Sequence, residues 1–191
     1  MTGSGQRLPG GFSLLELVIV IILVVLLFTI AVNRLAPLRG DAEAVHVATV
    51  IGSLRSAIGM EAASVVIRGG TQELAKLEGI NPMALLQEVP EQYVGVRHTG
   101  EFDELPTGSW YFDETNGQLV YRVRFPQYLE GSPQAPVELR WQVQLQFEDL
   151  SESGAFDPEQ DRARGLGLRS LHEHRWTVRQ ASEMQAAVTE G

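Results

Sequence analysis

Residues Phe12 to Val32 read FSLLELVIVIILVVLLFTIAV, and 18 of these 21 positions are apolar. Only Ser13, Glu16 and Thr29 interrupt the run. Wound as a helix, such a stretch reaches about 31 Å, close to the hydrocarbon thickness of a bilayer. A run that is apolar on every side has no core-facing stripe, so it calls for lipid or packed protein all round. A secretory signal peptide is the plainer reading, but the run is long for one, and no small-residue cleavage site follows it. Charge leaves the orientation open, because Arg7 precedes the run and Arg34 and Arg39 follow it.

Working outward, the chain has 191 residues, 15 Lys+Arg against 24 Asp+Glu, a formal net charge of -9 and a mean hydropathy near zero. That average hides a division. Setting aside Arg7 and Glu16 leaves 14 basic and 23 acidic side chains, all beyond the apolar run. An acidic balance argues against bulk nucleic-acid binding, since phosphates demand local positive charge. The absence of Cys excludes a disulfide scaffold, a thiolate metal site and a cysteine nucleophile. Enough Val, Ile, Leu and aromatic residues remain outside the run to build a small core.

Glu16 needs its own account. At mid-bilayer a carboxylate costs about 2.5–3.5 kcal/mol, so it either sits at headgroup level or has a cationic partner. Phe12 lies one helical turn before it, on the same face. A chain cut before Phe12 places a new α-amino group beside that carboxylate, at a helix end whose dipole also favours an acid.

The string Gly11-Phe12-Ser13-Leu14-Leu15-Glu16-Leu17 resembles the processing motif of type IV prepilins and type II secretion pseudopilins. The resemblance implies that a prepilin peptidase cuts after Gly11 and that the new amino terminus, on Phe12, is methylated. It implies that Glu16 is the carboxylate needed for assembly, meeting a neighbour's amino terminus. Residues 1–11, MTGSGQRLPGG, would be the short polar leader, with fewer basic residues than are often present in the family. The resemblance also implies a single-pass protein of the bacterial inner membrane, leader cytoplasmic and head periplasmic, that later enters a filament. Its partners would be the prepilin peptidase, other pilin or pseudopilin subunits and an inner-membrane assembly platform. No cofactor is implied.

The fold class expected on this basis is α+β and pilin-like, with a long N-terminal helix packed on a C-terminal antiparallel β-sheet head. The divisions are a leader at 1–11, a transmembrane half-helix at 12–34, a linker and amphipathic half-helix at 35–68, and a strand-rich head at 69–191. Pro37 and Gly40 should kink or interrupt the helix, and Asp41 restarts it as a cap or first-turn acid. Val47, Val50, Ile51, Leu54, Ile58 and Val65 then follow a 3.6-residue period. Gly52 and Gly59 weaken that helix but would permit close packing against another backbone, and Gly69-Gly70 ends it.

Two short helices are expected at 72–78, capped by Thr71, and at 82–88, opened by Asn81-Pro82. Beyond Pro90 the period becomes two. Tyr93, Val94 and Val96 suggest a short strand. Residues 110–113 and 118–125 around Asn116-Gly117 read as a hairpin, with Arg122 and Arg124 on its polar face. The clearest strand is 137–148, where Val137, Leu139, Trp141, Val143, Leu145 and Phe147 alternate with polar residues and one covered face is expected. A last strand is expected at 171–179 around Trp176 and Val178, before a frayed tail from Ala181. The stretches Asn81 to Leu86, Gly108 to Asp113 and Leu119 to Val123 also resemble minor pilins of the mannose-sensitive-haemagglutinin (MSHA) type. The cysteine pair usual at a major pilin's C-terminus is missing.

Catalytic patterns are not found. His46, His98, His172 and His174 form no H-E-x-x-H, and neither G-x-S-x-G nor G-x-x-x-x-G-K-[ST] occurs. His172 and His174 would share a strand face, yet no acid or Cys is tied to them by spacing, so no metal site is expected. Asp157, Glu159 and Asp161 alternate as in a calcium loop, but Arg162 and Leu168 stand where an EF-hand needs glycine and a terminal acid. A solvated acidic loop is the expectation, with a looser calcium site left open. Six acids at 148–161 are followed by Arg162, Arg164, Arg169, Arg175 and Arg179. These are read as two solvated surfaces, or as complementary patches that set register between subunits. The functional expectation is a non-enzymatic (pseudo)pilin subunit. A singly anchored periplasmic binding protein or enzyme, and a DNA-uptake pseudopilin using those arginines and Trp176, remain alternatives.

Overall fold

The computed structural model describes residues 13–35, 38–98, 105–131 and 137–177. The chain divides into two compact units, Met1–Leu38 and Arg39–Gly191. The leader at 1–11, Phe12, Pro37, Val178, Arg179 and the tail from Ala181 lie outside the described residues.

In the first unit, helix α1 spans Leu14–Leu35. Ser13 opens it: its hydroxyl accepts the Glu16 N–H at 3.4 Å and its carbonyl accepts that of Leu17 at 3.1 Å. The side chains described along α1 are exposed, and the helix is apolar all round with no single core-facing stripe.

The second unit is α+β. Helix α2 spans Leu38–Gly69 and buries Gly40, Glu43, Ala44, Val47, Val50, Ile51, Leu54, Ala57 and Ile58 along one stripe. It therefore begins before Asp41, and Gly40 is a helical residue rather than an interruption. A Cβ on Gly40 would fall 2.6 Å from the Tyr128 ring, so the glycine admits that ring against the helix. Gly52 and Gly59 differ from expectation, because an added Cβ at either meets nothing within 4 Å. They provide no close approach here.

Among the described residues five strands follow: β1 Tyr93–Arg97, β2 Trp110–Asp113, β3 Gln118–Arg122, β4 Glu138–Glu148 and β5 Arg162–Ser170, in that spatial order. The first pair is parallel and the others are antiparallel. Leu139, Trp141, Val143 and Leu145 of β4 are buried while the residues between them are not, so its alternation translates directly into a covered and an open face. The covered face joins Trp110, Leu119, Tyr121 and Leu168 in one core with the α2 stripe. The far end is closed by a second cluster, in which Leu74, Leu145 and Ala163 pack with Val65, Val66 and Phe156.

The β2–β3 turn is tied by Asp113, whose Oδ1 accepts the N–H groups of Thr115 and Asn116 at 3.1 and 3.3 Å. Gly117 has φ 62°, and a Cβ there would lie 3.0 Å from the Gly79 carbonyl, so the Asn-Gly signal serves both turn and packing. β2 and β3 are buried on both faces. Arg122, expected on a polar face, is buried, with Nε 3.9 Å from Glu138 Oε1. Glu138 also accepts the Tyr111 hydroxyl at 3.1 Å and pairs with Arg140 at 2.6 Å. Burial, together with the Glu138 carboxylate, pushes the Tyr111 hydroxyl well above its ordinary pKa.

Three further expectations are corrected. The short helices are 3-10 turns at Thr71–Leu77 and Pro82–Leu85; Gly70 precedes the first, while Asn81 does cap the second through the Met83 N–H at 3.1 Å. Among the described residues the last strand is 162–170, and 171–177 is not a strand: Ser170 pairs with Trp141, after which Trp176 makes a single bridge to Leu129. His172 and His174 consequently lie beyond the strand. His174 sits edge-on to Trp141 with ring centroids 5.7 Å apart, and burial lowers its pKa.

Candidate functional site

The first candidate is α1 itself. Its stretch Leu14–Val32 is 19 residues long and apolar enough to cross a membrane. Thr29, the one hydroxyl in its middle, donates to the Val25 carbonyl at 2.8 Å and so is satisfied within its own helix. Glu16 is in the first turn and exposed. Among the described residues, no donor meets its carboxylate. α2 also passes a length-and-composition test for spanning, but its stripe lies in the head's core.

Glu43 on α2 is a buried acid that the sequence pattern does not single out. Its buried carboxylate accepts the Tyr121 hydroxyl at 2.9 Å, the Arg124 N–H at 2.6 Å and the Phe125 N–H at 2.9 Å. One side chain thereby fastens the first turns of α2 to the end of β3. Burial, then the Glu43 charge, raises the Tyr121 pKa far above its usual value and keeps the hydroxyl a donor. The available signal was spacing: Gly40, Glu43, Ala44 and Val47 share the buried stripe.

The acidic stretch is largely spent on its own backbone. Asp161 accepts the N–H groups of Leu150, Ser151 and Asp157 at 2.8, 2.9 and 2.8 Å. These bonds, that of Asp157 foremost, hold its pKa below the usual carboxylate value. Asp149 accepts from Ser153 and Gly154, and Asp157 from Glu159 and Gln160. Lone pairs directed at N–H groups are poorly placed for a cation, and the described residues hold no group of three or more potential metal ligands.

The basic stretch is placed along β5 and just after it. Arg164 pairs with Glu148 at 2.9 Å on an exposed surface. Arg162, Arg169 and Arg175 are exposed and have no ion pair among the described residues. Part of the expected complementarity between acids and arginines is thus already used inside the chain. Comparison with protein-family models, with curated proteins and with solved structures returns no match to this chain.

Proposed function

We propose that the chain is a structural subunit of a type IV pilus or type II secretion-like filament, non-enzymatic and a minor component of MSHA type. In this reading it matures by prepilin-peptidase cleavage after Gly11 and methylation of Phe12. The observation that carries the proposal is the coincidence of Gly11-Phe12, Glu16 and an unbroken apolar helix, followed by a head that folds with its own core. The α+β head, in which an amphipathic helix covers a mostly antiparallel sheet, supports a pilin-like layout without specifying it.

The mechanism runs through the membrane. A subunit waits with α1 in the bilayer, head periplasmic, and the Glu16 carboxylate without a donor among the described residues. On assembly the methylated Phe12 amine of one subunit pairs with Glu16 of another, which removes two charges from lipid as the apolar helices pack together. Arg162, Arg169 and Arg175 are available to neighbours and set register rather than affinity.

Co-expression with a prepilin peptidase followed by mass measurement tests the reading. Loss of residues 1–11 with one added methyl group on Phe12 is expected. A chain that keeps its leader beside an active peptidase would identify an ordinary single-pass anchor instead.

A further inference from the structure

The second unit contains a cleft of about 300 Å³ beside Glu43, at the lower end of the range for small-molecule sites. Arg39, Glu43 and His46 line it from one face of α2, spaced as successive turns of a helix present their side chains. Tyr121, Arg124 and Gly108 line it from the sheet side.

The groups differ in what they have left to offer. Glu43 is engaged by the three donors described above. His46 Nε2 is buried and has no hydrogen-bond partner. Shut off from the cleft's open space, that nitrogen offers a ligand nothing as it stands. Arg39 and Arg124 are exposed at the rim, and neither has an acid partner among the described residues. The Arg124 guanidinium lies against Gly108, where an added Cβ would fall 2.6 Å from Nε and Nη2. That glycine has φ 79°, a conformation that favours a residue without a Cβ and leaves room for the guanidinium.

We propose that this cleft binds a phosphate group, held by the Arg39 and Arg124 guanidinium groups. Two arginines against one carboxylate leave a single positive charge, which matches the single negative charge of a phosphodiester. Planar guanidinium forks suit phosphate oxygens. The cleft is a local positive feature in a chain of net charge -9, so a general attraction to anions does not account for it. Arg39 comes shortly after Val32 in the sequence and so lies within about 25 Å of it. If α1 lies in a bilayer, lipid headgroups are then the nearest concentrated phosphates. The same chemistry could come from a soluble phosphate. The proposal does not depend on whether the chain enters a filament.

The test is calorimetric titration of the full chain in neutral detergent with dihexanoyl phosphatidylglycerol, inorganic phosphate and acetate. Saturable binding of at least one phosphate compound is expected, at least tenfold weaker in Arg39→Gln/Arg124→Gln. An Arg162→Gln/Arg169→Gln control should bind as the parent does. Both arginines of the first pair are exposed, and Glu43 is held by the Arg124 backbone rather than its side chain, so thermal unfolding should be unchanged. Arg39→Gln alone gives a second, milder reading of the same loss. Saturation by the lipid alone assigns the phosphate to the membrane, whereas equal or tighter binding of inorganic phosphate assigns it to a soluble source. The proposal is overturned if neither phosphate compound saturates, if acetate binds as tightly, or if the control loses as much as the cleft variant.

Discussion

Glu16 and Glu43 are carboxylates in the opening turns of successive helices, each flanked by apolar positions, yet their surroundings are opposite. Glu43 is buried in the head and meets three donors from β3 and the turn after it. Glu16 is exposed on α1 and has no donor among the described residues. A carboxylate taken out of water requires compensation, and the fold supplies it for one acid and not the other. Glu43 is therefore a device of folding. Glu16, on our proposal, is a device of assembly whose partner is another subunit.

The sharpest way to break that contrast is to remove the folding acid. Glu43→Ala strands a tyrosine hydroxyl and two backbone N–H groups, and should destabilise the head by about 3 kcal/mol. Glu43→Gln retains one acceptor oxygen and should cost less. Thermal unfolding of the two variants beside the parent gives the order, and an unaltered transition in Glu43→Ala would show that the clamp is dispensable.

A slightly smaller loss, about 2 kcal/mol, is expected of Gly40→Val, since its side chain must enter the space of the Tyr128 ring. Denaturant unfolding measures it. Gly52→Ala and Gly59→Ala should act in the other direction, because both lie in α2 with open space at the Cβ. Each should raise stability by about 0.5–1 kcal/mol, read as a shift of the denaturant midpoint at constant slope. A loss at either position would reveal a packing role.

The smallest effect is a dependence on acid. Asp161 has a lowered pKa in the fold, so its contribution is present above the ordinary carboxylate value of about 4. It is lost as pH falls below that value and through the folded pKa. Amide exchange at Leu150, Ser151 and Asp157 should quicken across that interval, and Asp161→Asn should weaken the response.

How much of this was legible depended on whether a residue's environment is set locally. The β4 alternation survives translation into structure because every second side chain faces one core. The α2 stripe was legible for the same reason. β5 was hidden because Gly165 and Gly167 have weak strand preference, and a register shift beside Gln146 and Phe147 breaks its alternation. Arg122 was misplaced because β3 is central and covered on both faces, a fact of sheet order that one strand's pattern cannot convey. Gly40 read as a helix breaker because the Tyr128 ring that requires it is distant in sequence. Glu43 was missed because an acid near a helix start usually faces water, and its three donors lie some eighty residues on.

The division of labour between the two acids is tested most directly by Glu16→Val in a cell that carries the proposed filament's assembly machinery. Membrane and filament fractions are compared with the parent after leader removal has been verified. The expected result is a processed, folded protein at parental level in the membrane and severalfold depleted from the filament. Incorporation at the parental level would contradict the role assigned to Glu16.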